Sequence, residues 1–80
     1  MLTAFIQAAM RHATYEIIED DATFFGHIPE LQGVWGHAAT LEACREGLQS
    51  ALEDWITFSL ANNLPIPPID GIELHSTRAA

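Results

Sequence analysis

The spacing of apolar and polar residues changes along the chain, and each change marks an element. Leu2, Phe5, Ile6 and Ala9 recur at helical spacing and predict a short helix from Leu2 to Arg11. Arg11 and His12 follow, where cations complement the C-terminal end of a helix dipole. A helix this short is not stable alone and must pack on something. From Ala13 to Ile18 the period drops to two, with Tyr15 and Ile17 alternating with Thr14 and Glu16, which predicts a strand. Glu19-Asp20-Asp21-Ala22 reads as a polar turn, and Thr23 to Ile28 as a second strand rich in aromatic and β-branched residues, giving a hairpin. Pro29-Glu30-Leu31-Gln32-Gly33 interrupts the sheet, because Pro29 lacks a ladder donor, and Val34 to Ala38 supplies a third strand.

The clearest element is a helix from the N-cap Thr40 to about Asn62, with Glu42 in its first turn. Leu41, Cys44, Leu48, Ala51, Leu52, Trp55 and Ser59 form one apolar stripe, and Glu42, Glu46, Ser50 and Glu53 lie opposite. Ile56 and Leu60 point away from that stripe, so the N-terminal helix, the C-terminal tail or another subunit must cover them. They are therefore candidates for self-association. Gly47 costs roughly 1 kcal/mol relative to Ala in a helix, a cost that a close backbone approach would explain. Asn63 suits a left-handed C-cap, and Pro65 stops the helix. Leu64 to Ile69 is extended, Asp70-Gly71 turns, and Ile72-Glu73-Leu74 forms a last short strand. The order α-β-β-β-α-β predicts an α+β fold. It has a short N-terminal helix, a three-stranded antiparallel sheet, a long helix packed on the sheet and a short C-terminal strand.

Composition bounds what such a fold can do. Eighty residues, 49% of them hydrophobic, make one domain with a modest core, which a homodimer or higher oligomer would reinforce. Eleven acidic residues stand against three Arg and no Lys, for a formal net charge of -8. That balance repels phosphate backbones, so no nucleic acid binding is expected. Solubility and attraction of a basic protein account equally for the acidity. A single cysteine excludes an internal disulfide. No apolar run approaches the roughly 20 residues of a membrane span, and the start lacks the pattern of a signal peptide. A cytoplasmic protein that does not engage membranes is expected.

No constellation predicts catalysis. Cys44 lies on the apolar stripe and reads as a core thiol rather than a nucleophile. His12, His27, His37 and His75 lack the spacing of a helical metal site. His27 and His37 could meet across neighbouring strands, although ordinary strand-surface histidines are the simpler reading. Glu19, Asp20 and Asp21 lack the pattern of a calcium loop. Gly33 and Gly36 signal only turns, and the aromatics, with no basic residues among them, read as core. No enzyme, metal or cofactor is expected.

The segment from about Ala13 to Pro67 resembles the HicB family of type II antitoxins. Pro29-Glu30-Leu31-Gln32-Gly33 resembles the family's Pro-Asp-Leu-Pro-Gly motif, with Glu and Gln replacing Asp and Pro. Thr40-Leu41-Glu42-Ala43 resembles its Thr-x-Glu helix start, and Leu64-Pro65-Ile66-Pro67 its closing Pro-Ile-Pro. The resemblance divides the single domain of residues 1–80 into an N-terminal helix (1–12), a family-like core (13–67) and a C-terminal strand and tail (68–80). It implies a partly degenerate ribonuclease H-like fold without nuclease activity. It also implies a small basic partner, a HicA-type toxin that cleaves messenger RNA. Two departures stand out. Ala22 lies near the place of the family's usual hairpin glycine. Only Asp70 to Ala80 follows the matched region, too short for the DNA-binding module of longer members, so autorepression is not expected.

The function expected on these grounds is binding and neutralising such a toxin. The alternative is a stand-alone homo-oligomer that has lost its partner; a carboxylate-metal hydrolase is a distant third. Glu19, Asp20 and Asp21 at the turn and Glu42, Glu46 and Glu53 on the helix are candidate contacts, each equally explained as plain solvated surface. Trp35 is either an interface anchor or, the reading the sequence favours, a core residue.

Overall fold

The computed structural model describes residues 2–74. Its elements are α1 (Leu2–Arg11), β1 (Thr14–Ile18), β2 (Thr23–His27), β3 (Trp35–Ala38) and α2 (Leu41–Ala61). The strands form one antiparallel sheet in the order β1-β2-β3. The long helix α2 packs on β3 and β2, and α1 packs against α2. This is the expected α+β architecture.

Local chemistry accounts for the element ends. Thr40 caps α2 by accepting a hydrogen bond from the Ala43 amide through its hydroxyl oxygen, at 3.1 Å. At the other end Asn63 is left-handed, with φ 54°. The Leu64 amide donates to the Ser59 carbonyl at 2.8 Å and the Asn63 amide to the Leu60 carbonyl at 3.3 Å, which together make a Schellman cap. Ala22 closes the hairpin at φ 55°, so the turn keeps a left-handed residue although its side chain is not glycine.

The 29–33 segment owes its motif to two consecutive turns. The Leu31 amide donates to the Ile28 carbonyl at 2.9 Å across Pro29-Glu30. The Val34 amide then donates to the Leu31 carbonyl at 3.3 Å across Gln32-Gly33, with Gly33 at φ 92°. Proline sets the first turn and glycine permits the second. The result drives Ile28, Leu31 and Val34, every third residue, into the core. Ile28 and Val34 therefore belong to these turns rather than to the strands expected to include them.

The core joins these residues to Phe5, Ala8 and Ala9 of α1, Leu48, Leu52 and Ile56 of α2, and Ile69 of the C-terminal segment. The helix meets the sheet closest at two glycines paired across β2 and β3, Gly26 and Gly36. A Cβ at Gly36 would lie 2.8 Å from both the Cys44 carbonyl oxygen and the Leu48 amide nitrogen. Cys44 fills the space above the pair and directs its thiol toward the Gly36 carbonyl, at 3.5 Å. Gly36 is thus a contact residue, not a turn signal. Gly47 is the reverse: it is exposed with nothing near it, and no close approach explains it.

Three further expectations are corrected. Ile56 is 1% exposed within a single chain. The buried ridge runs Cys44–Leu48–Leu52–Ile56, rotated from the expected stripe, and the chain's own core covers it. Leu41, at the start of that stripe, is exposed, and so is Ile17 of β1. Ile17 lies in the row Ile17–Phe24–Ala38, one step beyond the Tyr15–Gly26–Gly36 row over which α2 sits. Last, the strand expected at Ile72–Leu74 takes the form of a single bridge, Ile69 to Ile72, around a turn with Asp70 and Gly71 both at positive φ. Among the described residues the sheet has no fourth strand.

Candidate partner-binding surface

Alternation along the strands separates two faces. Tyr15, Gly26 and Gly36 turn toward α2, so Thr14, Glu16, Phe25, His27, Trp35 and His37 turn away from it. Neither helix covers this second face. Trp35 is 55% exposed, which corrects its reading as a core residue, and Glu16 and His37 are exposed as well.

The face is ordered by its own contacts. The Phe25 ring stacks on His27 at 5.7 Å and on Trp35 at 6.1 Å between centroids. The rings form a layer across β2 and β3, with Glu16 directly opposite Phe25 on β1. Thr14 Oγ1 lies 2.9 Å from His27 Nε2. The Thr23 hydroxyl donates to Asp21 Oδ1 at 2.6 Å, which leaves its oxygen to accept from His37 Nε2 at 2.7 Å. The Thr23 hydrogen bond holds the Asp21 carboxyl below its usual range. At the end of the face nearest Pro29 a cleft of about 250 Å³ opens, lined by Phe25, Ile28, Leu31, Val34 and Trp35 among others.

The expected contact residues do not share one surface. Glu19, Asp20 and Asp21 are exposed at the hairpin turn, at one end of the sheet. Glu42, Glu46 and Glu53 are exposed on α2, in the layer on the other side of the sheet from Trp35. Asp21 alone is linked to the ring layer, through Thr23 and His37. Glu16 is a surface residue that sequence reasoning does not single out, although its alternation with Tyr15 and Ile17 places it on the same face as Thr14. Leu60 is half-buried and lines a groove with Leu64, Ile66 and Leu74 of its own chain.

His27 and His37 lie on the same face but not as direct cross-strand partners, because His27 pairs with Trp35 and His37 with Phe25. Each is engaged by a threonine. Among the described residues no three His, Cys, Asp or Glu are placed to hold a metal ion. Cys44 is fully buried, and burial pushes its thiol above its ordinary pKa, unlike an activated nucleophile. His75 lies outside the described residues.

A second polar cluster ties three segments on the helix side. His12 Nδ1 donates to Glu30 Oε2 at 2.7 Å, and His12 Nε2 to Asp70 Oδ1 at 2.8 Å. Arg11 lies 3.6 Å from the other Asp70 oxygen. The Asp70 and Glu30 hydrogen bonds raise the His12 pKa, and the same bonds lower those of both carboxyls. The carboxylates sit on opposite edges of the ring, so the cluster is a clamp between α1, the 29–33 turns and the C-terminal turn.

These features define a small two-layer α+β protein with an aromatic sheet face on the side away from its long helix. A family model described as UPF0150-like matches residues 4–67, and the chain belongs to that family, which is associated with HicB-like antitoxin proteins. Among solved structures it is similar to the protein TTHA0281 from Thermus thermophilus, with 37% identity and a TM-score of 0.84 over 92% of this chain and 91% of that one. No curated protein matches it. No helix among the described residues is long and apolar enough to cross a membrane.

Proposed function

We propose that the protein is a HicB-type antitoxin that binds and neutralises a small basic, HicA-type messenger-RNA-cleaving toxin in the cytoplasm, without catalysis or cofactor. The observation that carries this reading is the uncovered sheet face, where a half-exposed tryptophan and a cleft are presented by a chain of net charge -8. Charge speeds the encounter with a basic partner, and a central aromatic anchor supplies affinity. Family membership and the fold support the same reading. The test is co-expression with the product of a short, strongly basic reading frame beside the gene. A complex is expected that co-elutes at low salt and weakens as salt rises; no complex at low salt overturns the reading.

A second reading, a stand-alone homo-oligomer, is favoured by Phe58 and Leu64, which are 59% and 45% exposed near the end of α2. Ile56 plays no part in it, being buried. Sedimentation equilibrium decides: a mass above the monomer that falls on Phe58→Ser supports self-association through this end.

A further inference from the structure

We propose that the outer sheet face is a receptor for an arginine side chain of a basic protein, with the guanidinium lying on the Phe25–Trp35 rings and paired to Glu16. This rests on the proposed function and specifies its site.

Three observations converge on it. The first is the ring layer: Phe25 and Trp35 are stacked at 6.1 Å with 27° between their planes, and Trp35 is more than half exposed. Trp35 leaves aromatic surface of the stack open to solvent, which attracts a cation, and Arg more than Lys because the planar guanidinium also stacks. The second is Glu16, exposed on the neighbouring strand and directly opposite Phe25. Its backbone lies one strand spacing, about 5 Å, from that of Phe25, and a carboxylate on this strand can pair with a guanidinium held at the rings. The third is what the face lacks. Its residues include no Lys or Arg, and Arg11 and Arg45 both lie on the helices. Among the described residues no Lys or Arg stands beside that carboxylate.

Charge decides among the occupants. A second copy laid face to face would press Glu16 against a surface with the same carboxylate and, among the described residues, no Lys or Arg, leaving both carboxylates buried without a cation from that face. Single-stranded RNA would find rings to stack on but no positive groove for its backbone, on a chain with eleven acidic residues and three arginines. A basic protein satisfies the rings and the carboxylate together.

The test is binding of labelled octa-arginine and octa-lysine peptides, measured by fluorescence anisotropy on the full chain. The two peptides carry equal charge and differ in stacking. The wild type is expected to bind octa-arginine about fivefold more tightly than octa-lysine. Trp35→Ala should cost about tenfold for octa-arginine and erase the preference. Glu16→Gln should cost about threefold. Asp54→Asn, which removes the same charge from exposed α2, should stay within about twofold. Circular dichroism confirms that each variant is folded. Equal affinity for the two peptides, or equal losses for Glu16→Gln and Asp54→Asn, shows only a diffuse acidic field and overturns the proposal. Tighter binding of a uridine decamer, lost on Trp35→Ala, would mark a base-stacking platform and overturn it as well. The neighbouring basic protein separates this inference from the function it rests on. If it co-purifies equally with wild type and Trp35→Ala, the receptor falls and the antitoxin reading stands. If it binds neither at low salt, the antitoxin reading falls, and the peptide preference still tests the face.

Discussion

The two faces of the sheet are built from opposite materials. On the helix side the central row is Tyr15–Gly26–Gly36, and two of its three residues have no side chain. On the outer side the corresponding row is Glu16–Phe25–His37, flanked by Thr14–His27–Trp35. The inner face is emptied so that a helix backbone can come close. The outer face is filled with rings, hydroxyls and a carboxylate that no helix covers. Glycine in a strand is normally a loss, because it packs nothing and orders poorly. Here that loss is offset by burial of Cys44 and Leu48 directly over the glycines. An aromatic layer left in water has no such offset within the chain, which is the physical ground for assigning it a partner.

The sharpest way to break the comparison is to give the inner face a side chain. In Gly36→Ala the new methyl meets two backbone atoms of α2, neither of which can move without shifting the helix. A loss of about 3 kcal/mol is expected, at the upper end for overpacking. Denaturant unfolding measures it, and a loss under about 1 kcal/mol would show that α2 is free to lift off the sheet. Gly47→Ala is the matched control on the same helix. With nothing within 4 Å of its Cβ, only helix propensity changes, and a gain of about 1 kcal/mol is expected in the same titration.

On the outer face, Trp35→Ala should cost about 1 kcal/mol or less, because the change removes one stacked pair but opens no core cavity. A loss near that of Gly36→Ala would mean the ring layer supports the fold and is not reserved for a partner. At the hairpin that joins β1 to β2, Ala22→Gly relieves a left-handed alanine at φ 55°. A gain of about 0.5 kcal/mol is expected, since the lost strain slightly exceeds the added freedom of the unfolded chain. A measurable loss would show that the alanine side chain itself is used.

How much of this is legible in the sequence follows from the range of the signals. Thr40, Asn63 and Asp70-Gly71 act within a few residues of themselves, and their roles are readable because capping and turn chemistry is local. The strands and helices are likewise readable from period. What period cannot supply is which face is covered. Phe24 and Phe25 are adjacent and turn to opposite faces, so composition alone marks both as core. Trp35 has the same ambiguity, and only the placement of α2 resolves it. Gly36 and Gly47 look alike in sequence, yet one touches a helix backbone and the other touches nothing. A straight stripe along α2 leaves Ile56 outside, whereas the buried ridge follows every fourth residue and turns slowly around the helix to include it. The Glu16 receptor position is hidden for the related reason that its partners lie on other strands.

The shallowest effect belongs to the clamp that holds the helix-side elements together. Carboxylates only accept, so His12 bonds Glu30 and Asp70 simultaneously only when both ring nitrogens carry protons. Its pKa is raised above the ordinary 6.5, so its contribution is complete below that value and is lost as pH rises through the raised one. Asp70 and Glu30 are shifted the other way, below 3.8 and 4.5, so their contribution is present above those values and lost as pH falls through the lowered ones. The clamp is therefore complete between about pH 4.5 and 6.5. All three groups reach solvent, so screening keeps the effect small. The difference in Tm between wild type and His12→Gln should be widest in that window and narrow on both sides of it. A difference that stays flat across the range would mean that His12 acts by packing alone, and that the turn carrying Asp70 is held by Ile69 in the core rather than by charge.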